Sequence, residues 1–367
     1  MSAVRLFISR ITEDRLLLVL LAGLAALLLL APEQAHALPG LVDWPTIGAL
    51  AGLLVLSRGI EDSGLLARAG RALLGRVRGE RRLAAALVLF SAGLSAVVTN
   101  DVALFIVVPL TASLARVAEL PFGRLVIFEA LAVNAGSTAS PVGNPQNLFL
   151  WQSSSAGFVE FALAMLPLAA ALLVLLLALV PLAFPAKAIA VDGSVPAAPL
   201  ERGLMRLSLA LYPAFLLAAE LGHAPWAAVA VIALYALLAP RVLREVDWML
   251  LLVFVLMFVD LGLLAAMPAV ARHVPELLAL PSGVLVAGAL LSQCISNVPA
   301  TIFLAGFTDD WRTLAWAVAV GGFGTAVGSL ANLIALRLSG QPNLWREFHL
   351  WSVPMLLAAF ALAWWLI

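Results

Sequence analysis

Thr99-Asn100-Asp101 interrupts a nearly uncharged run from 83 to 118, and Ser296-Asn297-Val298-Pro299 interrupts another from 283 to 308. A helix needs about 20 apolar residues to cross a hydrocarbon layer roughly 30 Å thick, because each residue rises about 1.5 Å. The first run is long enough for two helices and is split near its middle. The arms of the second are too short to span twice. Both read as re-entrant hairpins, at 83–118 and 281–308. The fold class that follows is an all-α polytopic membrane protein whose centre is made of interrupted helices.

The remainder of the chain agrees with that class. Of 367 residues, 63% are hydrophobic and 11% charged, and the mean hydropathy is +1.08, which excludes a water-soluble domain. Lysine plus arginine (21) equals aspartate plus glutamate (21), so there is no basic surface for nucleic acid. The single cysteine, Cys294, and the lack of CxxC or HExxH motifs give no case for a resident metal or redox group. Further apolar runs lie at about 16–32, 44–57, 125–150, 157–184, 204–219, 225–240, 248–270, 313–336 and 348–367. If both hairpins return to their side of entry, all lysines and arginines except Arg272 and Arg312 fall on one face. The positive-inside rule makes that face cytoplasmic, with the amino terminus inside, nine crossings and an inner-membrane location. Arg5, Arg10 and Ala35-His36-Ala37 have the layout of a signal peptide. A matching helix at 225–240 favours a first transmembrane helix instead.

Two halves align. Asp43-Trp44 pairs with Asp247-Trp248, Asp62-Ser63-Gly64-Leu65-Leu66 with Asp260-Leu261-Gly262-Leu263-Leu264, and tip residue Asn100 with Asn297. Val142-Gly143-Asn144-Pro145-Gln146-Asn147-Leu148 pairs with Val327-Gly328-Ser329-Leu330-Ala331-Asn332-Leu333. The first unit is expected over 1–184, with a broken helix at 125–150. A cytoplasmic linker follows at 185–203, then an extra helix at 204–219, and a second unit over 220–367 with a broken helix at 313–336. The extra helix makes the number of intervening crossings odd, so the repeat is inverted. Inverted repeats with paired broken helices place substrate and ions near the midplane in secondary transporters.

Irregular backbone inside a bilayer is tolerated only where protein or water satisfies its polar groups, so the four breaks mark a cavity. Each break also carries helix-starting chemistry: Thr99-Asn100-Asp101, Asn144 before Pro145, Ser296-Asn297 before Pro299, and Ser329 after Gly321, Gly322, Gly324 and Gly328. Four helix starts present free amides, each worth about half a positive charge, which suits an anion. Substrate contacts are expected from Thr99, Asn100, Asp101, Asn144, Ser296, Asn297 and Val298. Oxygens at Thr99, Asn100, Ser137, Gly143, Ser296, Asn297, Thr325, Gly328 and Ser329 suit a sodium ion as the coupling ion; no other cofactor is expected. Intramembrane carboxylates are costly, and Asp101 and Asp260 are the proton-coupling candidates. Asp62 reads as an interfacial charge beside Arg58, and Glu129 as a snorkelling partner of Arg124. The four histidines fall near loops with no clear role, and Cys294 reads as a small hydrophobe in a packed hairpin.

At these residues the sequence resembles the ion transporter superfamily, which includes divalent anion:sodium symporters, citrate transporters, arsenite permeases and sodium/proton antiporters. Thr99-Asn100-Asp101 and Ser296-Asn297-Val298 stand where the symporters carry Ser-Asn-Thr tips, and Asn100-Asp101 is closer to the arsenite permease version. Ser140 to Asn147 is similar to a segment of anion permeases in the group. The resemblance implies a homodimerising scaffold domain and a transport domain that moves as an elevator. It also implies tips that touch substrate, with cations held between each tip and the neighbouring break, 136–144 or 324–329. The third tip position is Asp101 in one half and Val298 in the other, which departs from a symmetric grip on two carboxylates and favours a smaller oxyanion or neutral arsenous acid. The expected function is secondary transport of a small anion coupled to sodium or protons. Arsenite efflux or sodium/proton exchange is the alternative, and an ion channel the reading from another class. No catalytic pair supports an enzyme.

Overall fold

The computed structural model describes residues 15–30, 32–74, 77–118, 120–189 and 199–367. They are helical almost throughout, and the only β-type pairing among them is an isolated bridge between Gly79 and Ala188. In chain order the stretch expected as the first unit holds α1 (Arg15–Leu30), a 3-10 turn (Pro32–Ala37), α2 (Leu38–Leu41), α3 (Trp44–Asp62), α4 (Leu65–Leu74), α5 (Glu80–Val97), α6 (Asn100–Ala118), α7 (Phe122–Ser137), α8 (Pro145–Ser153) and α9 (Phe158–Ala183). Then come α10 (Arg202–Glu220), α11 (Ala224–Leu238), α12 (Pro240–Glu245), α13 (Trp248–Ala265), α14 (Pro268–Leu278), α15 (Gly283–Ile295), α16 (Asn297–Ala305) and α17 (Trp311–Gly321). A 3-10 turn (Ala326–Gly328), α18 (Leu330–Ser339) and α19 (Leu344–Leu366) complete the chain.

Among the described residues, α9, α10, α13 and α19 are each long and apolar enough to cross a membrane, and the segment Pro32–Leu41 with α3, bent by 52°, makes a fifth candidate. Beside the interruptions, α7, α8 and α15 to α18 run 9 to 16 residues each, whereas α5 and α6 run 18 and 19. Of the linker expected at 185–203, residues 190–198 lie outside the described residues, as do Arg5 and Arg10.

Local chemistry explains where helices begin. Asp43 caps α3 by accepting from the Thr46 amide at 2.8 Å, and Asp247 caps α13 by accepting from the Leu250 amide at 3.3 Å. The tryptophan after each aspartate donates its indole N–H to the carbonyl five residues earlier: Trp44 to Pro39 at 3.3 Å, Trp248 to Leu243 at 2.8 Å. The aligned Asp-Trp pairs therefore share one local geometry. The Arg-rich gap before the first hairpin is not a plain loop. Leu65, Leu66, Ala69, Leu73 and their neighbours recur at helical spacing with Arg68 and Arg71 between them, and they form α4; α14 occupies the same position after α13.

Small residues set the close packing of α3. A Cβ at Gly48 would strike Pro225, one at Gly52 the Phe215 ring, and one at Gly59 the Tyr235 hydroxyl, so α10 and α11 lie directly against its backbone. The centre of the molecule interlocks the halves: α6, the second arm of the first hairpin, packs on α18, while α16, the second arm of the other hairpin, packs on α8. The second arm of each hairpin thus rests on the broken helix of the opposite unit, and the first arm on that of its own.

Candidate functional site

Four helices begin at the breaks. Asn144 caps α8 by accepting from the Asn147 amide at 2.8 Å, and Ser329 caps α18 by accepting from the Ala331 amide at 3.3 Å. The Asn100 side chain accepts from the Asp101 amide at 2.9 Å as α6 opens. Ser296 precedes α16 without a side-chain cap bond. It sits at φ 75°, ψ 155°, a region that glycine alone enters readily, so the second tip holds backbone strain.

The two breaks are wired alike. Asn147 donates its side-chain amide to the carbonyls of Ser137 (3.2 Å), Thr138 (3.3 Å) and Ser140 (3.1 Å). Asn332 donates to Gly322 (2.9 Å) and Thr325 (3.4 Å). Asn147 and Asn332, Ser137 and Gly322, Ser140 and Thr325 all stand at the same spacing in the alignment of the halves. Each hairpin fastens to its own break in matching fashion: the Ser140 hydroxyl donates to the Ala96 carbonyl at 2.7 Å, and the Thr325 hydroxyl to the Gln293 carbonyl at 3.2 Å. A Cβ at Gly136 would strike the Ala92 backbone, and one at Gly321 would strike Ser292 and approach the Ala289 Cα.

Where the halves meet, the wiring crosses. Asn134 on α7 donates to the Asn332 side-chain oxygen at 2.8 Å and to the Gly322 carbonyl at 3.2 Å, and it accepts from the Ser329 hydroxyl at 3.0 Å. A Cβ at Gly322 would lie 3.2 Å from the Asn297 side-chain nitrogen and 3.8 Å from the Asn134 Cγ. One buried cluster therefore joins Asn134, Gly322, Ser329 and Asn332 with the tip residue Asn297. The first tip joins its own break: the Asn100 amide donates to the Gly143 carbonyl at 2.9 Å. From the extra helix α10, Tyr212 donates to the Val97 carbonyl at 2.5 Å, just ahead of that tip.

Of the other expected residues, Thr99, Ser137, Gly143, Val298 and Gly328 are buried around these breaks, whereas Asp101, Ser296 and Thr325 are partly open. Several of the oxygens considered for a cation already accept hydrogen bonds, while the Thr99 hydroxyl is buried without a partner. The Ser137 carbonyl accepts from Asn144 and Asn147, Gly143 from Asn100, and the Thr325 hydroxyl from the Gly328 amide. Asp260 stands apart from the cluster. Its Oδ1 is buried without a hydrogen-bond partner, and its Oδ2 faces Gly23 of α1.

Three readings made from sequence are corrected. Arg124 does not pair with Glu129; its Nε meets Glu347 Oε1 at 2.6 Å, because α19 packs beside the start of α7, and Glu129 bonds to Thr111. His349 is not idle, since its Nε2 accepts from the Ala326 amide at 3.3 Å in the second break. Cys294 is exposed and not packed within its hairpin. Asn134, Gln293 and His349 escaped the sequence reading. For Asn134 and Gln293 the available signal was a polar amide within an apolar helix; His349 carried none. Arg58 does bond Asp62, at 2.8 Å.

Paired broken helices at the centre of a polytopic membrane protein are a feature of many transporters. The chain belongs to the citrate transporter family, whose model matches residues 6–321. It is 45% identical to the inner membrane protein YbiR of Escherichia coli (strain K12), over 96% of this chain and 95% of that one. It is 33% identical to the uncharacterized transporter MJ0456 of Methanocaldococcus jannaschii, over 82% of each. A shorter likeness, 32% over 126 residues, covers 34% of this chain and 26% of the silicon efflux transporter LSI3 of Oryza sativa subsp. japonica. The protein is a multi-pass membrane transporter and not an enzyme.

Proposed function

We propose that the protein is a secondary active transporter of the inner membrane that moves a small anion, an inorganic oxyanion or a carboxylate, coupled to sodium or protons. The observation that carries this reading is the crossed arrangement of four helix starts. Two hairpin arms each lie on the broken helix of the opposite unit, and the Asn134 cluster ties the units together. Helix starts bring unsatisfied amides to one region, and those amides favour negative charge. Thr99, Asn100, Asp101, Asn144, Ser296, Asn297 and Val298 contact the substrate in this reading. A sodium ion, if it is the coupling ion, sits among oxygens of Thr99, Asn100, Ser137 and Gly143 in one half, and of Ser296, Asn297, Thr325, Gly328 and Ser329 in the other. Sodium would first have to displace the amide donors that now occupy several of these oxygens, so proton coupling, with Asp101 and Asp260 as candidate carriers, stands beside it. The inverted relation of the units, a homodimeric scaffold and elevator movement complete the proposal.

The silicon transporter among the relatives supports a second reading, efflux of a weak, largely uncharged oxyacid such as arsenous acid. The test is a thermal-shift screen of the purified protein against citrate, succinate, phosphate, sulfate, arsenite and silicic acid, with and without sodium and at two pH values. It is followed by uptake of the stabilising solute into proteoliposomes. Stabilisation by one anion is expected, and its dependence on sodium or pH names the coupling ion. Stabilisation by arsenite or silicic acid alone would favour the second reading. Sodium stabilisation with no solute effect would point to sodium/proton exchange, and currents above transporter turnover would point to a channel.

A further inference from the structure

Glu129 lies on α7, about 12 Å along the helix from the break at Ser137. Its side chain is 0% exposed. Oε1 accepts from the Thr111 hydroxyl on α6, and Oε2 is buried with no hydrogen-bond partner. An intramembrane carboxyl without a counter-charge marks a functional group by default.

Among the described side chains, the surroundings do not supply that charge. The described cationic groups on the elements packed against α7 have other partners or other places. Arg81 on α5 donates to the carbonyls of Phe184 and Pro181, and Arg124 on α7 itself bonds Glu347 and the Ala183 carbonyl. His349 on α19 meets the Trp345 carbonyl and the Ala326 amide. Arg82 stands in the first turn of α5, Arg337 in the last turn of α18, and Arg346 in the first turn of α19. The acidic groups on these elements are Glu80 on α5, Asp101 on α6, Glu160 on α9 and Glu347 on α19. Among the described residues none of these forms an ion pair with Glu129.

Thr111 is chemically suited to a carboxyl that changes state. A hydroxyl donates to a carboxylate and equally to the carbonyl oxygen of a carboxylic acid, so the single contact at Oε1 survives gain or loss of a proton at Oε2; an arginine there would hold the anion only. The position also matters. Glu129 and Asn134 belong to one continuous helix, so a change at the carboxyl reaches the cluster that joins the units. The aligned position in the second half is Leu314, which makes this carboxyl unique to one half.

We propose that Glu129 is a proton-binding site of the transporter, neutral in the conformation seen here and losing its proton to water when the hairpin and α7 separate. The step is a plain ionisation in which the O–H at Oε2 breaks and the electron pair stays on the carboxylate. This rests on the transport reading, and the experiment separates the two. Infrared difference spectra of the protein in lipid should contain a protonated-carboxyl C=O band that disappears in Glu129→Gln; the same band in both proteins overturns the proposal. In proteoliposomes with a pH gradient and the solute selected by the thermal-shift screen, Glu129→Gln should keep solute counterflow but lose at least tenfold of gradient-driven uptake. Equal gradient-driven uptake in both proteins also overturns it. If no solute moves even in the unaltered protein, the transport reading fails while the infrared band still decides the carboxyl. Should Glu129→Gln not fold, Thr111→Val, which keeps the carboxyl, must shift the frequency of the band; an unmoved band counts against the site.

Discussion

At the first break the polar groups turn inward on one another, whereas at the second they reach across to the other unit. Asn144 and Asn147 both spend their amides on carbonyls of their own break, and Asn100 closes it from the tip. At the second break, Asn332, Ser329 and Gly322 all bond Asn134 of the first unit, Val327 and Leu330 are 41% and 38% exposed, and the tip residue Ser296 is strained. The first break is thus a closed anchor, and the second a strained junction with a buried polar centre and exposed apolar side chains at its edge. Regions with exposed side chains and few enclosed bonds open at lower free energy than enclosed ones. The second break is accordingly where access to the site should begin.

This contrast can be broken experimentally, and the largest effect should come from the helix crossings beneath each break. At Gly136 an added methyl meets the Ala92 backbone, which cannot move aside, while at Gly321 it meets the Ser292 Cβ and Oγ, of which only the Oγ can rotate away. Gly136→Ala should cost about 3 kcal/mol and Gly321→Ala about half of that in detergent-solubilised melts. Equal losses would mean that the two anchors are equally rigid.

Asn134→Ala comes next. It strips partners from Asn332 and Ser329 in a buried site, which should cost about 2 kcal/mol and reduce transport at least tenfold. Asn147→Ala, which cuts only bonds within the first break, should destabilise to a similar degree and leave coupling between the units less affected. Proteoliposome uptake compared at matched folded fraction checks the difference.

Cap removal is smaller still. Asn144→Ala should lose about 1 kcal/mol and Ser329→Ala somewhat less, since its bond to the Ala331 amide is longer. The last change runs the other way: Ser296→Gly should stabilise by about 1 kcal/mol by relieving the positive φ, and Thr99→Gly, at a tip without one, should not. A melting series on the two variants decides.

What the sequence disclosed and what it hid divide along the same physical line. Helix starts are local chemistry: Asn144 before Pro145, Ser329 before Leu330 and the polar triplets at the tips announce themselves within a few residues. The class of membrane protein follows from composition and run length in the same way. Asn134 and Glu129 are different. Both are polar residues set in one apolar helix, and their partners lie on other helices, Asn332 for one and Thr111 on the preceding helix for the other. Local pattern says only that such residues are costly; tertiary packing says what they meet. Arg124 shows the hazard, since the nearest carboxylate in sequence is not the one α19 brings to it. The amphipathic α4 was hidden by its arginines, whose charge masks a helical stripe when only apolar runs are counted.

The account stands on a shared centre built by both units, and a double-mutant cycle across the tips probes it most directly. The thermal shift given by the stabilising solute from the screen is measured for the unaltered protein, Asn100→Ala, Asn297→Ala and the double variant. One shared centre predicts that either single change removes most of the shift and the second adds little. Two partial losses that simply add would mean that each tip binds on its own, and the account would be wrong.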